Sequence, residues 1–214
     1  MCTLDLQYTQ REIRQTTVEE VAKTPYPACF IKPALAKVDE FPARWHTRPT
    51  DVAQAALQNA VHPQTALQYT VTSMNFEYEW RTYVLDGFAC KPSLYKKHGE
   101  NWEPWFDQSC EELTRQAWHY AETVTDDLYH HRQAPRAYVL DVGLTTTGQW
   151  VVIEANAPWA SNPYGCPLTE VVDVLAASFA AATTSAWKWT PDPHEQAWAD
   201  KLPVLAVAQD TYLA

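Results

Sequence analysis

The segment from Tyr138 to Trp159, YVLDVGLTTTGQWVVIEANAPW, constrains the fold more than any other part of the sequence. Two runs rich in valine, leucine and isoleucine flank a polar stretch at residues 146–149. This pattern predicts two antiparallel strands joined by a turn. Three polar side chains, those of Asp141, Glu154 and Asn156, interrupt the apolar runs and need an explanation.

The register of this hairpin brings the three polar side chains together. A turn at 146–149 predicts the opposite pairs Thr145/Trp150, Gly143/Val152, Asp141/Glu154 and Val139/Asn156. Because side chains alternate across a strand, we expect Trp150, Val152, Glu154 and Asn156 to share one face. Asp141, Glu154 and Asn156 therefore lie on the same face.

Two carboxylates held about 5 Å apart across a strand pair repel each other, and a divalent cation would remove that cost. Oxygen ligands from Asp141, Glu154 and Asn156 suit Mg²⁺, which takes its other ligands from water and substrate phosphates. The alternative is that the three residues lie on a solvated sheet face, since short motifs of this kind also occur by chance.

Charge and composition exclude several classes of protein. Sixteen Lys and Arg against 26 Asp and Glu give a net charge of −10, which disfavours nucleic acid and anionic membranes as partners. No apolar run approaches the roughly 20 residues of a spanning helix, and the N-terminus lacks the pattern of a secretory signal. The five cysteines show no C-x-x-C spacing, so no zinc ribbon is predicted. We expect a globular, cytoplasmic protein.

The remaining elements alternate in blocks, which predicts an α+β fold with mostly antiparallel sheets. Asp86-Gly87 is a strong signal for a tight hairpin turn. The predicted elements are a strand at Ala28–Ile31 halted by Pro33, a helix capped by Thr50, three strands within 67–95, a helix from Ser109 to about Arg132 and a largely buried helix from near Thr169.

Lys32 ends the apolar strand and is a candidate phosphate ligand, because a point charge at that place can hold a phosphate. The alternative is a strand end that reaches solvent. Lys37 follows in the next loop.

Four segments, FIKPALAKVDEF, YTVTS, EYEWRTYVLDG and LDVGLTTTGQWVVIEANAPW, occur in the order and spacing of an ATP-grasp nucleotide site. From Ala28 to about Gly165 the chain resembles that superfamily, and it is similar to a divergent clade. That clade includes a eukaryotic cell-division-cycle factor for assembly of a translation initiation factor, with bacterial and phage relatives. The resemblance implies one ATP-grasp domain over residues 1–214, with lobes at about 24–75 and 76–190 that clamp ATP and Mg²⁺.

The resemblance also implies roles for individual residues. Lys32 and Lys37 would hold phosphates, and Asp141, Glu154 and Asn156 would hold Mg²⁺. Backbone groups of Thr70, Val71, Thr72 and Ser73 would contact the adenine edge, while Val71, Ile31 and Ile153 would cover its faces. For Val71 the alternative is an ordinary core position.

Arg81, Glu79 and Lys37 are the candidate catalytic residues. Glu79 and Arg81 lie on one strand face, and the guanidinium offers a planar fork for a phosphate or a substrate carboxylate. The alternative is a cross-strand ion pair. For the catalytic role, we expect Arg81→Ala to abolish turnover and to shift the thermal midpoint by no more than a degree or two.

Two functions follow from the resemblance. The first is an ATP-dependent carboxylate–amine ligase with an acyl-phosphate intermediate, acting on a small substrate, a peptide or a protein. The second is an ATP-binding assembly factor without turnover. Only 31 residues precede Lys32, whereas family members generally carry a substantial N-terminal domain. We expect a second copy or a partner protein to replace it by contacting the segments around NWEPWF and WKWTPDP.

Overall fold

The computed structural model describes residues 4–34, 38–101, 110–131 and 134–179. These residues form an α+β fold in which all the strand pairs are antiparallel. They divide into two compact units, one formed by Ile13–Val71 and one by the residues up to Glu12 and from Thr72 on. The division between units therefore falls at 71/72, whereas the sequence placed it at 75/76. The tryptophan-rich residues 102–106 and 187–193, expected to contact a partner, lie outside the described residues.

The described elements follow one another along the chain with short connections. They are α1 (Leu6–Thr9), β1 (Arg14–Thr17), α2 (Val18–Lys23), β2 (Cys29–Pro33), β3 (Arg44–His46), α3 (Pro49–Gln58), β4 (Ala66–Thr70), β5 (Phe76–Leu85), β6 (Phe88–Ala89), β7 (Ser93–Lys97), β8 (Glu100–Asn101), α4 (Glu111–His130), β9 (Ala137–Thr145), β10 (Trp150–Asn156) and α5 (Leu168–Phe179). None of the described helices is both long enough and apolar enough to cross a membrane.

The smaller unit has a four-stranded sheet in the order β1-β4-β2-β3, with α2 and α3 in contact with each other. α2 begins with a reciprocal capping box between Thr17 and Glu20. α3 begins at Pro49, one residue before the cap predicted at Thr50, because the fixed φ and missing N–H of proline suit the first position of a helix. The Thr50 hydroxyl instead donates to the carbonyl of Thr24.

The larger unit has a six-stranded sheet in the order β10-β9-β5-β7-β8, with β6 paired to β5. One face packs against α4, whose apolar stripe is confirmed: Ala117, Val124 and Leu128 are buried with Trp80 and Leu140. The other face packs against α5 through a second apolar cluster of Tyr83, Val139, Cys90, Cys166, Val171 and Val174. The sheet is thus covered on both sides, and its second face carries the polar residues of interest.

Two helix predictions need correction or lie partly outside the described residues. α5 is buried on one side only, at Val171 and Val174, while Leu168, Val172 and Phe179 are exposed, so the expectation of a largely buried helix is wrong. A helix packed on one sheet face has no second layer above it. Ser109 and Arg132, the predicted ends of α4, lie outside the described residues.

The predicted Asp86-Gly87 turn connects β5 and β6, and both residues have positive φ, 49° and 87°. These values match the hairpin turn that follows the twist of the strands. The carboxylate of Asp86 accepts two hydrogen bonds from Arg136, at 2.6 Å and 2.7 Å. This pairing lowers the pKa of Asp86, chiefly through the Arg136 hydrogen bond.

Gly87→Ala is expected to destabilise the protein more than Gly148→Ala. Both glycines have positive φ, 87° and 80°, so each substitution costs about 1 kcal/mol of backbone strain. A Cβ at Gly87 would also lie 2.8 Å from Cβ and Cγ of Tyr129, whereas one at Gly148 meets nothing within 4 Å. The clash adds about 1–3 kcal/mol for Gly87. Urea denaturation measures the difference, and equal losses would contradict the close packing on Tyr129.

Candidate functional site

The β9–β10 hairpin has the predicted turn but contains a bulge that the sequence did not indicate. The pairs Asp141/Glu154 and Val139/Asn156 are confirmed. Nearer the turn the prediction is wrong by one residue, because Trp150 pairs with Leu144 and Val152 pairs with Val142. The register shift between Val152 and Glu154 accommodates Ile153 as an extra residue.

The bulge separates side chains that were expected to share a face. Val152 packs in the apolar cluster beneath α4, with Val142 and Leu140, and Trp150 packs against the same cluster. Glu154 pairs with Asp141 instead, on the opposite face. The expectation that Trp150 and Val152 share a face with Glu154 and Asn156 is therefore wrong, while the grouping of the polar residues holds.

A row of polar residues crosses the sheet, and we call it the acidic row: Ser93, Arg81, Asp141 and Glu154, each paired with the next on adjacent strands β7, β5, β9 and β10. Within it Arg81 binds Asp141 through two hydrogen bonds, from Nε to Oδ1 at 2.8 Å and from Nη2 to Oδ2 at 2.7 Å. The Arg81 residue is 8% exposed and Asp141 is 0% exposed. The ion-pair alternative for Arg81 is thus the arrangement observed.

The Asp141 carboxyl lies in a strongly perturbing environment. Burial raises its pKa to about 6, and the hydrogen bonds and charge of Arg81 offset only part of that effect. The neighbouring carboxylates Glu154 and Glu79 raise the pKa further. Three acids therefore converge near one buried arginine.

Two tyrosines enclose the guanidinium of Arg81. The rings of Tyr95 and Tyr164 stack on each other with centroids 5.0 Å apart, and the Arg81 Cζ lies 5.4 Å and 5.2 Å from their centroids. Arg81 Nη1 also donates to the carbonyl of Asn162 at 3.3 Å. These contacts were missed in the sequence, where only the turn residues around Tyr164 gave a signal.

Glu79 lies two residues before Arg81 and is held by two neighbours. Its carboxylate accepts a hydrogen bond from the Tyr95 hydroxyl at 2.8 Å and pairs with Lys96 at 3.5 Å. Burial, followed by the charges of Asp141 and Glu79, raises the pKa of Tyr95 far above its usual value. The phenol therefore stays protonated and acts as a donor to Glu79.

Glu154 and Asn156 are half-buried on β10, at the edge of the sheet as described. Asn156 Nδ2 donates to Glu154 Oε1 at 2.9 Å, which turns the amide oxygen of Asn156 away from that carboxylate. Next to them Ile153 packs against Gly143, where a Cβ would lie 2.9 Å from Ile153 Cδ1 and 2.6 Å from Phe76 Cδ1. Glycine at position 143 thus leaves the room that the bulge needs.

Arg11, from the N-terminal segment of the same unit, contacts the bulge directly. Its Nη2 donates to the carbonyl of Ile153 at 2.8 Å and its Nη1 to that of Val152 at 3.3 Å. Burial lowers the pKa of Arg11, and the charge of Glu154 raises it. No motif in the sequence pointed to this residue.

The smaller unit carries the other predicted nucleotide contacts. Lys32 lies within β2, which continues to Pro33, and is half-buried. Ile31 is 0% exposed in the apolar core, so the core is its place rather than a surface that could cover a base. β4 ends at Thr70, and Val71, Thr72 and Ser73 follow it as exposed residues. Val71 is 58% exposed, which excludes the core alternative for that residue, and Lys37 lies outside the described residues.

The chemistry of the acidic row fits a hard divalent cation. Asp141, Glu154 and Asn156 offer only oxygen donors, two of them carboxylates that raise each other's cost of ionisation. Both oxygens of Asp141 already accept from Arg81, but a carboxylate has about four acceptor sites, so capacity remains. No group of three or more His, Cys, Asp or Glu that could hold a metal occurs among the described residues, and here an amide completes the set.

The two antiparallel sheets and their helices define the ATP-grasp fold. Residues 8–174 match the model of an ATP-grasp domain family, the second family of its clade, and the chain belongs to that family.

Solved structures show the same fold. Cdc123 from Schizosaccharomyces pombe is 10% identical, with a TM-score of 0.50 over 86% of this chain and 88% of that one. D-alanine–D-alanine ligases from Coxiella burnetii and Bacillus anthracis are 15% and 12% identical over 80% of this chain, with TM-scores of 0.48 and 0.47. This chain spans 52% and 62% of the length of these two ligases. No curated protein matches it.

Proposed function

We propose that the protein binds ATP with Mg²⁺ and uses it to join a carboxylate to an amine. The observation that carries the proposal is the acidic row, in which Glu154 pairs with Asp141 while Asn156 follows on the same face. Membership of the ATP-grasp family supports a nucleotide as the ligand. The carboxylate and amine substrates are small molecules, peptides or proteins.

The chemistry would proceed in two displacements. A carboxylate oxygen bonds to the γ-phosphorus as the bond to ADP breaks, and the amine nitrogen then bonds to the acyl carbon as phosphate leaves and a proton is lost. Such reactions need positioning and charge neutralisation more than a protein nucleophile. Bound Mg²⁺ would supply charge neutralisation on the phosphates.

The residues of the chain would share this task as follows. Asp141, Glu154 and Asn156 hold the metal, and Lys32 and Lys37 hold phosphates. The backbone from Thr70 to Ser73, beyond the end of β4, contacts the adenine, and the side chains of Val71 and Ile153 cover it. Arg81, paired with Asp141, fixes the orientation of that carboxylate, and with Glu79 and Lys37 it remains a candidate for contact with the reacting groups.

A second candidate function is ATP binding without turnover, as in an assembly factor. The observation that favours it is the Arg81 fork, which is engaged by Asp141 and 8% exposed, so that it is poorly placed to receive a substrate. Measurement of ADP release separates the two functions. Release stimulated by a carboxylate together with an amine supports the ligase, and binding with no release supports the assembly factor.

Glu154→Gln is expected to weaken ATP·Mg²⁺ binding at least about tenfold, because the amide keeps the shape of the side chain but removes a charge from the metal ligands. Isothermal calorimetry measures the dissociation constant. Glu112→Gln is the matched control, since Glu112 is an exposed partner of Arg115 on α4 of the same unit. Wild-type affinity in Glu154→Gln would remove Glu154 from the metal site.

A further inference from the structure

Arg11 binds two consecutive carbonyl groups of β10, those of Val152 and Ile153, at 3.3 Å and 2.8 Å. In a regular strand consecutive carbonyls point in opposite directions, so one planar guanidinium cannot reach both. Here it reaches both because the bulge breaks that alternation. The fork of Arg11 therefore fits the bulged form of the strand and not the regular one.

The bulge decides which face Glu154 occupies. Val152 pairs with Val142, so a regular strand would place Ile153 opposite Asp141 and Glu154 opposite Leu140. Leu140 belongs to the apolar cluster beneath α4. Without the bulge, Glu154 would point into that cluster, since a shift of one residue reverses every side chain that follows.

Arg11 is itself held in place for this contact. Its Nη1 donates to the carbonyl of Thr9 at 3.0 Å, and the Thr9 hydroxyl donates to the carbonyl of Arg11 at 2.8 Å. Its Nη1 also approaches the sulfur of Met74 at 3.2 Å. A guanidinium fixed by these contacts loses less conformational freedom on binding the bulge than a mobile one.

We propose that Arg11 is a positioning residue for the candidate site: by holding the bulge of β10 it keeps Glu154 and Asn156 in line with Asp141. Its effect on ligand binding rests on the proposed function, whereas its effect on β10 does not. Arg11 acts through the backbone of the strand and is separate from the groups that hold the ligand.

The test compares Arg11→Lys and Arg11→Met with the wild type. Hydrogen exchange of the amides at 150–157 measures the strand, and calorimetry measures ATP·Mg²⁺ affinity. Both variants should speed exchange in β10 and weaken binding about tenfold or more, the range found when supporting residues of metal ligands are changed. Lysine keeps the charge but lacks the fork, so it should not restore binding. Arg136→Met, which removes the paired hydrogen bonds to Asp86 in the same unit, is the control and should change neither quantity.

The outcomes separate the two proposals. Wild-type binding in Arg11→Lys would mean that charge alone suffices and would overturn the positioning role, as would unchanged exchange in β10. A lower thermal midpoint with unchanged affinity would indicate a structural role only and would also overturn it. If the wild-type protein does not bind ATP·Mg²⁺, the proposed function fails, and the exchange measurement still decides whether Arg11 holds the bulge.

Discussion

Replacing Arg81 by alanine is expected to lower the free energy of unfolding by about 3–5 kcal/mol, because it leaves a buried carboxylate without its partner. Asp141 is 0% exposed, and both of its oxygens accept hydrogen bonds from Arg81. The raised pKa of Asp141 relieves part of the cost, since a protonated carboxyl is easier to bury. This result would replace the sequence-based expectation that Arg81→Ala leaves the thermal midpoint almost unchanged.

Urea denaturation of the variant and the wild type measures this loss. Arg136→Ala is the matched control, because Arg136 also forms a two-bond ion pair, with Asp86, but is exposed to solvent. Removal of an exposed pair changes stability little. If the two variants lost the same stability, burial would not be what makes the Arg81 pair important.

Much of this site could be predicted from the sequence because it depends on local alternation and turn chemistry. The turn at 146–149 and the pair Asp141/Glu154 follow from two apolar runs around a polar stretch. The Asp86-Gly87 hairpin follows from the backbone freedom of its residues. Such features need only neighbours in sequence.

The remaining features depend on contacts between distant residues, which a single sequence does not encode visibly. The bulge at Ile153 depends on Gly143 across the strand pair and on Arg11, which lies 142 residues away in sequence from the carbonyl it binds. The partner of Arg81 could not be chosen from the sequence, because a phosphate, a substrate carboxylate and Asp141 present the same geometry to a guanidinium. Tyr95 likewise reaches Glu79 only through pairing of β5 with β7.

The double variant Arg81→Met with Asp141→Leu is expected to recover most of the stability lost in Arg81→Ala but not the function. Replacing both members of a buried ion pair by apolar residues of similar size is often neutral or stabilising by about 1–4 kcal/mol, since no buried charge is left unpaired. The acidic row would then keep Glu154 and lose its central carboxylate. ATP·Mg²⁺ affinity should fall about tenfold or more, and any turnover by about 10²-fold or more.

Stability and binding of the double variant must be measured on the same preparation, because only a folded variant with lost binding separates the two roles of the pair. Met and Leu are chosen because they fill the space of the original side chains without polar atoms. A folded double variant that binds ATP·Mg²⁺ as tightly as the wild type would make the Arg81–Asp141 pair purely structural. The metal would then have to be held by Glu154 and Asn156 without Asp141, and the buried half of the acidic row would serve only to keep β5 and β9 in register.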